Sequence, residues 1–195
     1  EEVGADLVLA SDPDADRIGV AVRNTEGKIV LINGNEICSL LVYYAIMSRE
    51  ESGRLQPQDY VVKTIVTTEL IRAIAEKNEV TLFDCYTGFK WIARSPDLSF
   101  VYEEAIGFCP YPAVARDKDG IASTVVAASL FAALKVEGRT AWDELDRLAH
   151  AHGLHVTGPL TFRVEEIEQI ASGMARLRAQ PPSVLAGSPV VEVSD

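Results

Sequence analysis

Apolar and polar positions fall in blocks along this chain of 195 residues. Residues 7–10 and 18–22 are apolar runs too short for helices, and both read as strands, the first as a buried one. The turn Asn24-Thr25-Glu26-Gly27 joins 18–22 to a third run at 29–32, so this part reads as a hairpin. The period then becomes helical. Leu40, Leu41, Tyr43, Tyr44 and Met47 share a face of a helix predicted from Glu36 to about Arg49, introduced by Asn33-Gly34-Asn35. A β-branched strand at 60–66, a helix to about Asn78 opened by Thr67-Thr68-Glu69, and a strand at 80–86 follow. After the turn at 87–91 come a short strand at 100–102, a long apolar helix at 121–136, and a helix at 141–152 capped by Thr140.

That order predicts an α/β fold: a mixed sheet covered by helices over residues 33–152, with partial flanking domains. Residues 1–32 read as the last strands of a preceding domain. Residues 153–195 read as the start of a following one, made of the segment 156–164, a helix from about 165 to 179 and a strand at 189–193. Both ends look like cuts inside a larger protein, which sets the expectation of exposed apolar docking surface and self-association.

Between the first two strands stands Ser11-Asp12-Pro13-Asp14-Ala15-Asp16-Arg17. Pro13 argues against a helix. In an extended backbone Asp12, Asp14 and Asp16 would face one way. Three close carboxylates repel unless a cation sits between them, and oxygen ligands suit Mg²⁺, Ca²⁺ or Mn²⁺. An EF-hand loop starting at Asp12 would need Gly at its sixth position and Glu at its twelfth, where Arg17 and Arg23 stand. An aspartyl-phosphate phosphatase motif comes near at Asp14-Ala15-Asp16-Arg17-Ile18 but lacks the Thr or Val at its end. A merely polar turn is the remaining reading.

Composition narrows the options. An apolar share of 48% is ample for a core, and an aromatic share of only 7% leaves aliphatics to fill it. The net charge of −11 repels nucleic acid and anionic membranes, so neither is an expected partner. A phosphorylated substrate then needs local cations or a metal. No run of 18 apolar residues and no signal peptide is present, which sets the expectation of a soluble, cytoplasmic protein. Cys38, Cys85 and Cys109 read as reduced thiols. His150, His152 and His155 do not share a helix face and do not read as a metal set.

Three further stretches carry polar chemistry. Tyr102-Glu103-Glu104-Ala105-Ile106-Gly107 places adjacent acids on opposite faces of a strand end, so at most one should point into a given cleft. Arg116-Asp117-Lys118-Asp119-Gly120 precedes the long helix. Asp119 suits its cap, while Lys118 opposes the helix dipole and so is a candidate ligand-binding group. Nearby cations and a metal would lower its pKa. In Thr87-Gly88-Phe89-Lys90-Trp91, Gly88 permits close backbone approach, Lys90 can reach a phosphate, and Phe89 and Trp91 suit either a substrate border or the core.

The acidic loop resembles the Asp-x-Asp-x-Asp-Arg metal loop of the α-D-phosphohexomutase superfamily, the phosphoglucomutases and phosphomannomutases. Glu103-Glu104-Ala105-Ile106-Gly107 resembles its sugar loop, Asp117-Lys118-Asp119-Gly120 its active-site lysine segment, and Thr87-Gly88-Phe89-Lys90-Trp91-Ile92 its substrate border. The resemblance implies Mg²⁺ held by Asp12, Asp14 and Asp16, and catalytic roles for Lys118 and Arg17. It implies substrate contacts from Glu103, Ala105, Gly88, Phe89, Lys90 and Arg116, although Ala105 replaces a serine of the better-known motif. It also implies interconversion of hexose 1-phosphate and 6-phosphate through a phosphoserine and a bisphosphate, with a hexose 1,6-bisphosphate activator. The phosphoserine loop and the final phosphate loop of that superfamily are not found in this sequence. The chain is therefore expected to need the other domains of its parent as partners, and to be inactive alone. A Mg²⁺-dependent sugar-phosphate phosphatase using Asp14 and a non-catalytic sugar-phosphate-binding module are the alternatives.

Overall fold

The computed structural model describes residues 3–92 and 100–193. Its contacts divide into two units, Glu1–Thr157 and Gly158–Asp195. In the first, β1 (Leu7–Ser11), β2 (Ile18–Arg23) and β3 (Ile29–Leu31) form an antiparallel sheet in that order. β1 was expected to be buried. It pairs only with β2 and is an edge strand, with Val8 43% exposed. β2, between two neighbours, carries Ile18, Val20 and Val22 into the core.

The second sheet has the order β5-β4-β6-β7, formed by β4 (Tyr60–Thr64), β5 (Thr81–Cys85), β6 (Phe100–Glu103) and β7 (Gly107–Cys109). β4 runs parallel to both β5 and β6, and β7 returns antiparallel to β6. The sheet is therefore mixed. β7 has no counterpart in the sequence pattern, because three residues show no period. It matters for the site: Arg17 bridges to Gly107, and the Ile18 N–H donates to the Ile106 carbonyl at 3.2 Å, so the two sheets meet there.

Each main helix starts where its cap dictates. α1 (Gly34–Glu51) opens on a capping box: Asn33 accepts from the Glu36 N–H, and Glu36 accepts from the Asn33 N–H. α4 (Gly120–Val136) is capped by Asp119, which accepts from the Ala122 N–H at 2.9 Å. α5 (Ala141–His152) opens on the reciprocal Thr140–Asp143 pair. Between these stand α2 (Leu70–Lys77) and the single turn α3 (Phe89–Ile92). Ile37, Leu40 and Leu41 of α1, Ile71 and Ile74 of α2, Leu130 and Leu134 of α4 and Leu148 of α5 join the β2 residues in one aliphatic core. Each fully buried side chain of this size contributes on the order of 1.5–3 kcal/mol.

The second unit holds α6 (Ile167–Ala179) and the two-residue strands β8 (Val184–Leu185) and β9 (Ser188–Pro189). The strand expected at 189–193 does not form. Residues 156–164 belong to no ladder among the described residues, and only Ser188–Pro189 pairs near the end. Alternating apolar residues make a strand only when a neighbour supplies the hydrogen bonds.

Gly34 sits where α1 meets the β6–β7 turn, and a Cβ there would lie 1.6 Å from the Glu104 carbonyl oxygen. Gly34→Ala is therefore expected to lower stability by about 1–3 kcal/mol, although Ala normally favours a helix. Urea denaturation of this chain checks it, and an unchanged midpoint would show that the contact yields freely.

Candidate active site

The acidic loop converges by turning rather than by extension. The Ala15 N–H donates to the Asp12 carbonyl at 3.0 Å, and Ala15 has φ 58°. The Arg17 N–H closes the loop on Asp12 Oδ1 at 3.1 Å. Asp12, Asp14 and Asp16 thereby offer one oxygen each within 4.8 Å of one another. The Arg17 N–H also holds the Asp12 carboxyl below the usual carboxylate range. Arg17 Nε lies 3.5 Å from Asp16 Oδ1, and Lys118 Nζ lies 2.9 Å from Asp16 Oδ2. Asp16 Oδ1 is buried and accepts no hydrogen bond among the described residues. A carboxylate oxygen desolvated without a donor, beside two further carboxylates, fits a hard divalent cation.

Two glycines let the surrounding backbone close on this loop. The Gly120 N–H, at the start of α4, donates to the Ala15 carbonyl at 3.0 Å. A Cβ at Gly120 would stand 2.6 Å from that oxygen and 2.8 Å from the Arg17 carbonyl. At Gly107 a Cβ would meet Lys118 Cδ at 2.3 Å, so the lysine stem lies flat across the β6–β7 turn. Lys118 thus joins the acidic loop to the turn. Its Nζ also lies 5.2 Å from the Phe89 ring centroid. Burial works to lower its pKa, but Asp16 and Asp117 more than offset that, and Lys118 is held above the ordinary lysine value. The lowering expected from the sequence was for a lysine beside a metal and other cations, whereas here the groups closest to its ammonium are carboxylates.

The adjacent acids face apart, as strand geometry requires. Glu104 accepts from the Thr64 and Thr67 hydroxyls, both at 2.9 Å. Glu103 takes the other face, toward Lys118, Arg17 and the Gly88 N–H. Burial pushes its carboxyl up, the Glu104 charge adds to that, and those three groups offset part. Ala105 is exposed at the tip of the turn. Gly88 has φ 105°, a conformation that favours glycine. Phe89 is buried against Val62, Val101 and Cys109, whereas Trp91 is 38% exposed, with Lys90 Nζ 5.3 Å from its ring centroid. Gly88, Phe89, Lys90, Arg116, Asp117 and Lys118 line an open cleft of about 360 Å³. The structure therefore gathers Asp12, Asp14, Asp16, Arg17, Lys118 and Glu103 in one place and sets Lys90 and Arg116 at the adjoining cleft. The histidines lie elsewhere: His152 contacts the Ala73 carbonyl, His155 the His152 carbonyl, and His150 pairs with Asp146.

Sequence reasoning passed over Lys63. It is fully buried on β4, with Glu69 at 2.7 Å and Asp84, its register partner on β5, at 2.9 Å. Arg72 pairs with both of those acids. The available signal was a lone charge inside an otherwise apolar, β-branched run, since an unpaired lysine is rarely buried.

Two outcomes are expected. By electron paramagnetic resonance, Mn²⁺ binding to this chain should weaken about tenfold or more in each of Asp12→Asn, Asp14→Asn and Asp16→Asn. The second concerns Glu103. An acid whose folded pKa is raised gives stability that is full below the unfolded value and is lost as pH rises through the folded value. At neutral pH its charge is therefore destabilising. Glu103→Gln should raise the thermal midpoint at pH 7, with the gain shrinking toward pH 4.5, the ordinary glutamate value.

Comparison with known proteins identifies the family of the fold. The family model described as phosphoglucomutase/phosphomannomutase, alpha/beta/alpha domain III, matches residues 33–151. A Haemophilus influenzae protein named "Probable phosphomannomutase" is 33% identical over 195 residues, which is 100% of this chain and 39% of that protein. A phosphoglucomutase of Staphylococcus aureus MRSA252 is 33% identical over 201 residues, covering 98% of this chain and 36% of the relative. The chain thus spans well under half the length of these relatives. Among solved structures, the Paramecium phosphoglucomutase parafusin superposes with a TM-score of 0.59 at 21% identity, over 76% of this chain and 25% of that one. Aspergillus fumigatus N-acetylphosphoglucosamine mutase, solved with GlcNAc-6P and magnesium, gives 0.56 at 17% identity, over 72% and 35%. With a mixed sheet flanked by helices and a domain III match over most of its length, this chain belongs to the phosphoglucomutase/phosphomannomutase family.

Proposed function

We propose that this chain supplies the cation loop and the sugar-recognition domain of an enzyme that interconverts hexose 1-phosphate and hexose 6-phosphate. The observation that carries this reading is the position of Lys118. It is paired with Asp16 of the acidic loop and lies across Gly107 of the turn that presents Glu103. Cation site and hydroxyl acceptor therefore open onto the same space. The domain assignment follows: residues 1–32 end the metal-loop domain, 33–152 form the sugar-binding domain, and 153–195 begin the last domain.

Asp12, Asp14 and Asp16 would hold Mg²⁺, whose charge offsets that on a transferring phosphoryl group. Arg17 adds a fixed positive charge at the same loop. Lys118 is a proton-bearing group at the loop and moves a proton only once its carboxylate partners are otherwise engaged. Glu103 accepts hydrogen bonds from sugar hydroxyls, and its raised affinity for a proton makes it a strong acceptor. Lys90 and Arg116 place two cations at the adjoining cleft, where they would attract an anionic phosphate that the overall charge of −11 repels. The phosphoryl group comes from a phosphoserine supplied by the parent outside these residues, primed by a hexose 1,6-bisphosphate.

The test is the encoded full-length protein with glucose 1-phosphate or mannose 1-phosphate and Mg²⁺, followed by ³¹P NMR. Conversion to the 6-phosphate is expected, with kcat lowered about 100-fold or more in Asp14→Asn, and no turnover by the 195-residue chain alone. Release of inorganic phosphate in place of the isomer would replace this reading with a phosphatase.

A further inference from the structure

Glu104 stands beside the proposed sugar ligand yet faces away from the cleft. Its Oε2 accepts hydroxyl hydrogen bonds from Thr64 and Thr67, and those two hydroxyl oxygens lie 2.7 Å apart. Both threonines are buried, Thr64 at the end of β4 and Thr67 in the turn before α2. No lysine or arginine among the described residues pairs with this carboxylate. Its two hydrogen bonds from neutral hydroxyls on separate segments fix the direction of the carboxylate. The main chain on either side is clamped as well. Gly34 lies against the Glu104 carbonyl, Cys38 Sγ donates to the Glu103 carbonyl at 3.4 Å, and the Asn35 side chain accepts from the Thr68 N–H at 2.8 Å. The turn beyond is less conventional. Ile106 has φ 60°, and its carbonyl accepts from Ile18 of the other sheet.

From this we infer that Glu104 is a positioning residue: through the Thr64 and Thr67 hydroxyls it anchors the β6–β7 turn, and so fixes where Glu103 is presented. The inference rests on the reading of Glu103 as the sugar-hydroxyl ligand. A glutamine keeps an amide oxygen that accepts both hydroxyls, whereas an alanine keeps nothing, so the two substitutions separate anchoring from charge.

In the full-length enzyme, Glu104→Ala is expected to lower kcat/KM about 10–100-fold, as a misplacement near 1 Å does. Glu104→Gln should stay within about threefold of wild type. On a Glu103→Ala background, Glu104→Ala should add less than about twofold, because the group it positions is gone. A full multiplicative loss in the double variant, or a glutamine as damaging as alanine, would overturn the inference. Absence of turnover in the wild type would defeat the functional reading instead. Amide exchange in this chain then decides the anchor by itself. Glu104→Ala should speed exchange at the Ile18 N–H about tenfold while α5 amides stay unchanged. An unchanged Ile18, or uniform acceleration, would refute it.

Discussion

Mutual repulsion among Asp12, Asp14 and Asp16 is the constraint around which the site is organised. Three carboxylates with oxygens within 4.8 Å of one another separate unless something holds them. The Arg17 backbone fixes Asp12, the Arg17 and Lys118 side chains flank Asp16, and the N–H of Gly120 grips the loop backbone at the start of a helix whose dipole favours negative charge there. Two cations against three anions leave a negative remainder that suits a divalent ion. The glycines follow from the same constraint, since the helix start and the Gly107 turn can approach the loop and Lys118 only without a side chain.

Behind the β6–β7 turn a second polar layer sits at the carboxyl ends of the parallel strands, where α/β sheets place their ligands. Lys63, Glu69, Asp84 and Arg72 alternate in sign, and the Thr64 and Thr67 hydroxyls donate hydrogen bonds to Glu104. Breaking a buried pair by removing one partner is far more damaging than replacing both, so such a layer enforces a defined geometry more than it adds net stability. Glu103 stands in front of it. Its raised affinity for a proton comes from its partial burial and from the neighbouring Glu104 charge.

Much of this was readable from local pattern. The helices predicted at 36–49, 121–136 and 141–152 are observed at Gly34–Glu51, Gly120–Val136 and Ala141–His152. Caps explain the agreement: Asn33, Asp119 and Thr140 act within three residues of themselves. The opposite facing of Glu103 and Glu104 needed only the strand period. The acidic loop was readable as a cluster of like charges, but its route to convergence was not, because a turn at Ala15 replaces the extended backbone assumed.

By itself the sequence determined the α/β class, the helix starts and which side chains are candidates for the chemistry, because these depend on period, capping and residue type within a few positions. Tertiary structure alone decided the rest. It paired β7 with β6, left residues 156–164 without a ladder, and seated Lys63 between two carboxylates. It also set Lys118 against Asp16, which holds the lysine's pKa above its ordinary value. Each of these outcomes depends on which distant segment arrives as a neighbour, and the strength of a hydrogen bond or a charge pair is a property of both partners.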